Sequence, residues 1–131
     1  MMQRLNFPKL PAVLAVLVLA LSAGAASARD YQRRIRFGRG RTTAILKGGI
    51  VRGDTDSYLL GAKAGQRMIV HVTSLEKNAV FTVYTPRPLR RVAGADEVTD
   101  WTGRLRRTGD YLIEVGGTRG NTSYTLEVTI R

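Results

Sequence analysis

The strongest constraint on this 131-residue chain is a period-2 alternation of apolar side chains that returns between turn signals. Met68, Val70 and Val72 alternate with Ile69, His71 and Thr73, and Tyr111, Ile113 and Val115 alternate with Leu112 and Glu114. Phe81 and Val83 share one face, and Tyr124, Leu126, Val128 and Ile130 share another. Successive side chains of a strand point to opposite sides, so such runs bury one face and solvate the other. Turn chemistry punctuates them at Lys47-Gly48-Gly49, Gly53-Asp54, Ala64-Gly65-Gln66, Thr108-Gly109-Asp110 and Gly116-Gly117. Glycine supplies the backbone angles these corners require. Turn signals roughly every 8–12 residues, with no helical periodicity after residue 28, predict an all-β fold. The expected architecture is an antiparallel β-sandwich of seven or eight short strands, preceded by a signal peptide.

Arg4 and Lys9 precede an unbroken apolar run over residues 12–20, and Ala26-Ser27-Ala28 fits the small-x-small cleavage rule. Residues 1–28 are therefore expected to be a signal peptide and residues 29–131 one β-sandwich domain. An uncleaved membrane anchor is the alternative for the leader, whose second half is rich in Ser, Gly and Ala. No stable membrane anchor is expected after cleavage. The chain has no cysteine, which excludes a lipidated N-terminus, disulfide staples and thiolate metal sites. A core of roughly 100 residues must then hold by packing and hydrogen bonding alone.

The formal net charge is +11. Arginine outnumbers lysine among the basic residues after the leader, and guanidinium groups favour planar, bidentate partners such as carboxylate and phosphate. In an exported protein this suits cell-envelope polyanions. The basic run over residues 29–41, with Tyr31 and Phe37 interleaved, fits either such a role or an edge strand protected from aggregation by charge. The export signal argues against a nucleic-acid partner.

Catalytic chemistry finds little support. His71 is the single histidine and lies inside a regular strand, and no serine stands in a nucleophile-elbow context. Asp54-Thr55-Asp56 could offer oxygen ligands to a hard cation but reads better as a solvated turn. Asp96, Glu97 and Asp100 fall in a long charged connection over residues 87–101, where nothing fixes the separation a glycosidase pair needs. The glycine pairs lack the lysine and helix of a phosphate loop. The expectation is a non-enzyme with no metal and no cofactor.

The order of motifs is more specific than any one of them. Ile35-Arg36-Phe37-x-x-Gly40 precedes Thr43-Ala44, then Gly49-Ile50-Val51-x-Gly53 and Tyr58-x-Leu60-x-Ala62-x-Ala64-Gly65-Gln66. Val70-x-Val72, Ser74, Asn78-Ala79-x-Phe81-x-Val83-Tyr84, Gly103, Leu105, Thr108-Gly109-Asp110-Tyr111 and Tyr124-x-Leu126 follow. This succession resembles the periplasmic lysozyme inhibitor family directed at g-type and i-type lysozymes, which is related to pre-peptidase C-terminal-like β-sandwich domains.

The resemblance implies an exported inhibitor with lysozyme as its protein partner. In that family a Ser-Gly-x-Tyr loop enters the active-site cleft. Thr108, Gly109, Asp110 and Tyr111 would form that inhibitor loop here, with Thr108 where the family has serine. Hydroxyl groups of such a loop can hydrogen-bond to a catalytic carboxyl group. Arg106, Arg107 and Arg119 would be supporting basic contacts. Tyr111 is open to two readings, a contact with the enzyme or a structural tyrosine corner. The alternative function is a non-catalytic binding module that recognises cell-envelope polyanions or saccharides through an Arg-rich face.

Overall fold

A computed structural model describes residues 32–131; the expected signal peptide lies outside the described residues. Eight strands and no helix are found among those residues. They are β1 (Gln32–Arg34), β2 (Thr43–Ile50), β3 (Thr55–Ala62), β4 (Arg67–Ser74), β5 (Ala79–Tyr84), β6 (Asp100–Arg104), β7 (Gly109–Gly117) and β8 (Thr122–Ile130). They form two four-stranded sheets of order β1-β3-β7-β5 and β2-β8-β4-β6. Every neighbouring pair is antiparallel except β1 with β3. The expected all-β sandwich is the observed fold.

The alternations do the packing. Tyr58 and Leu60 of β3, Met68 and Val70 of β4, Phe81 and Val83 of β5, and Ile113 and Val115 of β7 meet Leu126 and Val128 of β8, all essentially shielded from solvent. Two sheets that each bury one face in this way enclose a single core.

Three local expectations are corrected. Lys47-Gly48-Gly49 is not a turn but lies within β2, in register with β8 from Thr43↔Thr129 to Ile50↔Thr122. The glycine at 48 answers to packing, because a Cβ there would collide with the hydroxyl of Tyr124. That phenol donates to Asp56 Oδ2 at 2.6 Å and meets the hydroxyl of Tyr58. Asp56, by sequence a possible cation ligand, thus turns inward from β3 and accepts a buried phenol. Burial, followed by the bonds to Asp56 and Tyr58, raises the pKa of Tyr124 well above the ordinary phenol value.

Among the described residues the basic segment contributes a three-residue strand, β1, at the edge of its sheet. The long connection before β6 is also no free loop. It is laced to the edge of β5 by Phe81 N–H to Val98 O at 2.8 Å, Val83 N–H to Ala95 O at 2.8 Å and Val92 N–H to Val83 O at 2.8 Å. These bonds cover an edge that would otherwise present unpaired backbone.

Candidate functional site

The corner between β6 and β7 is fixed from four directions. Leu105 is buried and ties this turn to the β3–β4 turn, donating to Gln66 O at 2.8 Å and accepting from Gly65 N–H at 2.7 Å. Thr108 Oγ1 accepts the Ala64 N–H at 2.9 Å, so its hydroxyl is already engaged by the neighbouring turn. Gly109 has φ +148°, and a Cβ there would sit 2.8 Å from Pro86 Cβ. Both the dihedral and the close approach require glycine. Asp110 receives a bidentate bond from Arg34, at 2.9 and 2.8 Å. That hydrogen bond holds the Asp110 carboxyl below its ordinary pKa.

Tyr111 is 2% exposed, with its ring in the core. Its hydroxyl donates to Arg107 O at 2.7 Å and accepts from Arg107 N–H at 3.2 Å. This is the tyrosine-corner arrangement, in which a buried phenol clamps the backbone a few residues upstream. Tyr111 therefore braces the loop from inside. Arg106, Arg107, Thr108 and Asp110 are exposed. Beside them opens a groove of about 590 Å³, lined by Phe37, Arg41, Lys63, Gln66, Thr108 and Asp110 among others.

Arg119 is not part of this constellation. It lies in the β7–β8 loop, and the full length of β7 separates it from Gly109. Eight steps along the strand at the usual rise make that roughly 26 Å. At this opposite end, Asn78 organises the backbone. Its amide donates to Arg119 O and Asn121 O, both at 3.0 Å, and its carbonyl accepts from Thr122 Oγ1 at 2.5 Å. The sequence shows Asn78 only as one member of the motif order, and its bracketing role depends on partners more than forty residues away.

The catalytic candidates are dispersed. His71 is half-buried on the outer face of β4, with Nδ1 against Asp100 Oδ1. Asp96 accepts from Thr82 Oγ1 at 3.3 Å and from Arg91 at 3.2 Å. Tyr31 lies outside the described residues, and Phe37 packs against the core, so the 29–41 segment shows no aromatic platform among the described residues.

No protein-family model matches the sequence, nor does any curated protein. Solved structures do match. The chain is similar to the periplasmic inhibitor of g-type lysozyme from Aeromonas hydrophila, at 33% identity and TM-score 0.69, over 76% of this chain and 96% of that one. The corresponding inhibitor from Salmonella Typhimurium shares 21% identity with TM-score 0.62, over 79% and 100% of the two chains. A pre-peptidase C-terminal domain of a Bacillus anthracis collagenase shares the fold alone, at 14% identity and TM-score 0.57, over 80% and 99%. With a relative one-third identical across almost its whole length, the chain belongs to the family of periplasmic inhibitors of g-type lysozyme.

Proposed function

We propose that this protein is an exported inhibitor of g-type lysozyme, periplasmic or secreted, that acts by binding and not by catalysis. The similarity to the Aeromonas hydrophila inhibitor carries this reading. Residues 1–28 serve as its signal peptide, and the domain that follows is the working part.

The β6–β7 corner enters the active-site cleft. What supports this is its form: an exposed turn whose shape is set by Tyr111, Leu105, Gly109 and the Arg34–Asp110 pair. A loop held in this way loses little conformational freedom on binding, which is the economy of tight inhibitors. Thr108, Arg106 and Arg107 are the outward groups. Guanidinium groups and a hydroxyl suit a cleft that carries catalytic and substrate-binding carboxylates. Arg119 engages the enzyme separately, from the end bracketed by Asn78. The high net positive charge requires the target cleft to be locally acidic.

The test is lysis of bacterial cell walls by g-type lysozyme, with i-type and c-type enzymes in parallel. Inhibition of the g-type enzyme, weakened about tenfold or more by Thr108→Ala or by Arg106→Ala with Arg107→Ala, supports the corner. Inhibition unaffected by these substitutions but lost in Arg119→Ala moves the contact to the other end. No inhibition of any class overturns the function.

A further inference from the structure

The strand register produces a charge arrangement outside the corner that the inhibitor reading does not use. Arg67 opens β4 directly across from Arg104, the last residue of β6. On its other side Arg67 exchanges backbone hydrogen bonds with Arg131, N–H to O at 3.0 Å in both directions. All three are exposed, and all three alternate with inward-facing neighbours: Met68, Gly103 and Ile130. They therefore stand in a row on the outer face of one sheet, at adjacent inter-strand spacings of roughly 5 Å. None forms an ion pair among the described residues. The acidic side chains of that sheet, Glu127 and Asp100, lie across from His71, four residues farther along β4. Like charges directly opposite one another destabilise a sheet. Arg67 and Arg104 are such a pair, a local cost to the fold that an external anion would relieve.

The same end carries more of this chemistry. Arg106 and Arg107 follow Arg104 on the corner, exposed. The turn after β5 is pressed against the corner by Pro86 at Gly109 and is closed by Thr85, whose N–H donates to Arg90 O at 2.8 Å. It presents Arg87 and Arg90 with Leu89 between them, 53% exposed. A bare leucine among arginines is poorly suited to a soluble polyanion. It suits a plane of phosphates, where the guanidinium groups pair with headgroups and the leucine enters the boundary beneath them.

We propose that this end of the sandwich, with Arg67, Arg104 and Arg131 as its row and Leu89 as its apolar tip, docks reversibly on an anionic phospholipid surface. This does not rest on the inhibitor reading. The test uses processed protein exported by cells that express the full chain. Sedimentation is measured with vesicles of phosphatidylglycerol mixed into phosphatidylcholine, with pure phosphatidylcholine vesicles, and with soluble polyphosphate as competitor. Binding to the mixed vesicles should fall steeply with salt and be nearly absent on the neutral ones. Each arginine near such a surface contributes about fivefold, so the triple variant Arg67→Gln, Arg104→Gln, Arg131→Gln should bind about 100-fold more weakly. It should melt no lower than the native protein, since it removes like-charge crowding. If it melts lower, the variant Arg87→Gln, Leu89→Ser, Arg90→Gln, altered only on the exposed turn, should show the loss of vesicle binding in its place. The proposal is overturned by equal binding to neutral vesicles, by variants that bind unchanged, by no vesicle binding at all, or by capture of polyphosphate without vesicles.

Discussion

Replacing Tyr111 by phenylalanine separates the two roles that a tyrosine in this corner can have. The ring stays, filling the same core volume, and only the hydroxyl is lost. That hydroxyl makes two bonds to Arg107, the shorter as donor at 2.7 Å and the longer as acceptor at 3.2 Å. A net hydrogen bond contributes about 0.5–1.5 kcal/mol, and the longer one sits at the weak end, so Tyr111→Phe should cost about 1–2 kcal/mol. For a domain of this size each kcal/mol lowers the melting temperature by roughly 4–8 °C, giving a fall of roughly 4–16 °C. Urea unfolding should show a lower midpoint with an unchanged slope, because the surface exposed on unfolding is the same. Well below its melting temperature the variant should still inhibit g-type lysozyme within about twofold, about 0.4 kcal/mol of binding. Tyr111→Ala should be far worse, by about 3–5 kcal/mol, because it leaves a cavity. Undiminished stability with inhibition lost tenfold or more would place the phenol at the enzyme surface and refute the brace.

Other outcomes follow from the same geometry. Gly48→Ala should destabilise by about 1–3 kcal/mol, read as a lower urea midpoint, because the new methyl group meets a Tyr124 hydroxyl held by Asp56 and Tyr58. Asn78→Ala should cost about 2–4 kcal/mol and speed hydrogen exchange in the β7–β8 loop, since two carbonyls and a hydroxyl lose their buried partner. Asp110 has a folded pKa below its ordinary value, so its ion pair with Arg34 stabilises the fold above the usual carboxylate range and is lost as pH falls through the depressed value. Asp110→Asn should therefore melt lower than the native protein near neutral pH, and the difference should close in acid.

Much of the sandwich is legible in the chain because period-2 burial is a local property. The inward faces of β4, β7 and β8 can be read residue by residue, and so can the turns at Gly53 and Gly65, whose positive φ values need glycine. Gly48 misleads because glycine marks not only turns but also places where something must pass. What passes is Tyr124, on a strand seventy-odd residues later. The connection before β6 looks like a free loop in the sequence because its backbone bonds to β5 follow no side-chain pattern.

The site divides in the same way. The Thr108-Gly109-Asp110-Tyr111 corner is visible from turn chemistry and motif order. Only the folded chain shows that Thr108 and Tyr111 already have partners, that Arg34 holds Asp110, and that Arg119 stands at the far end of β7.

By itself the sequence determined the fold class, the turn chemistry of the corner and an excess of arginine, because these depend on composition and on neighbours within a few residues. The tertiary structure decided which arginines share a surface. Arg67, Arg104 and Arg131 are scattered along the chain, and strand register alone sets them side by side. Register is a long-range agreement between strands, fixed by what the core will accept, and no local pattern encodes it.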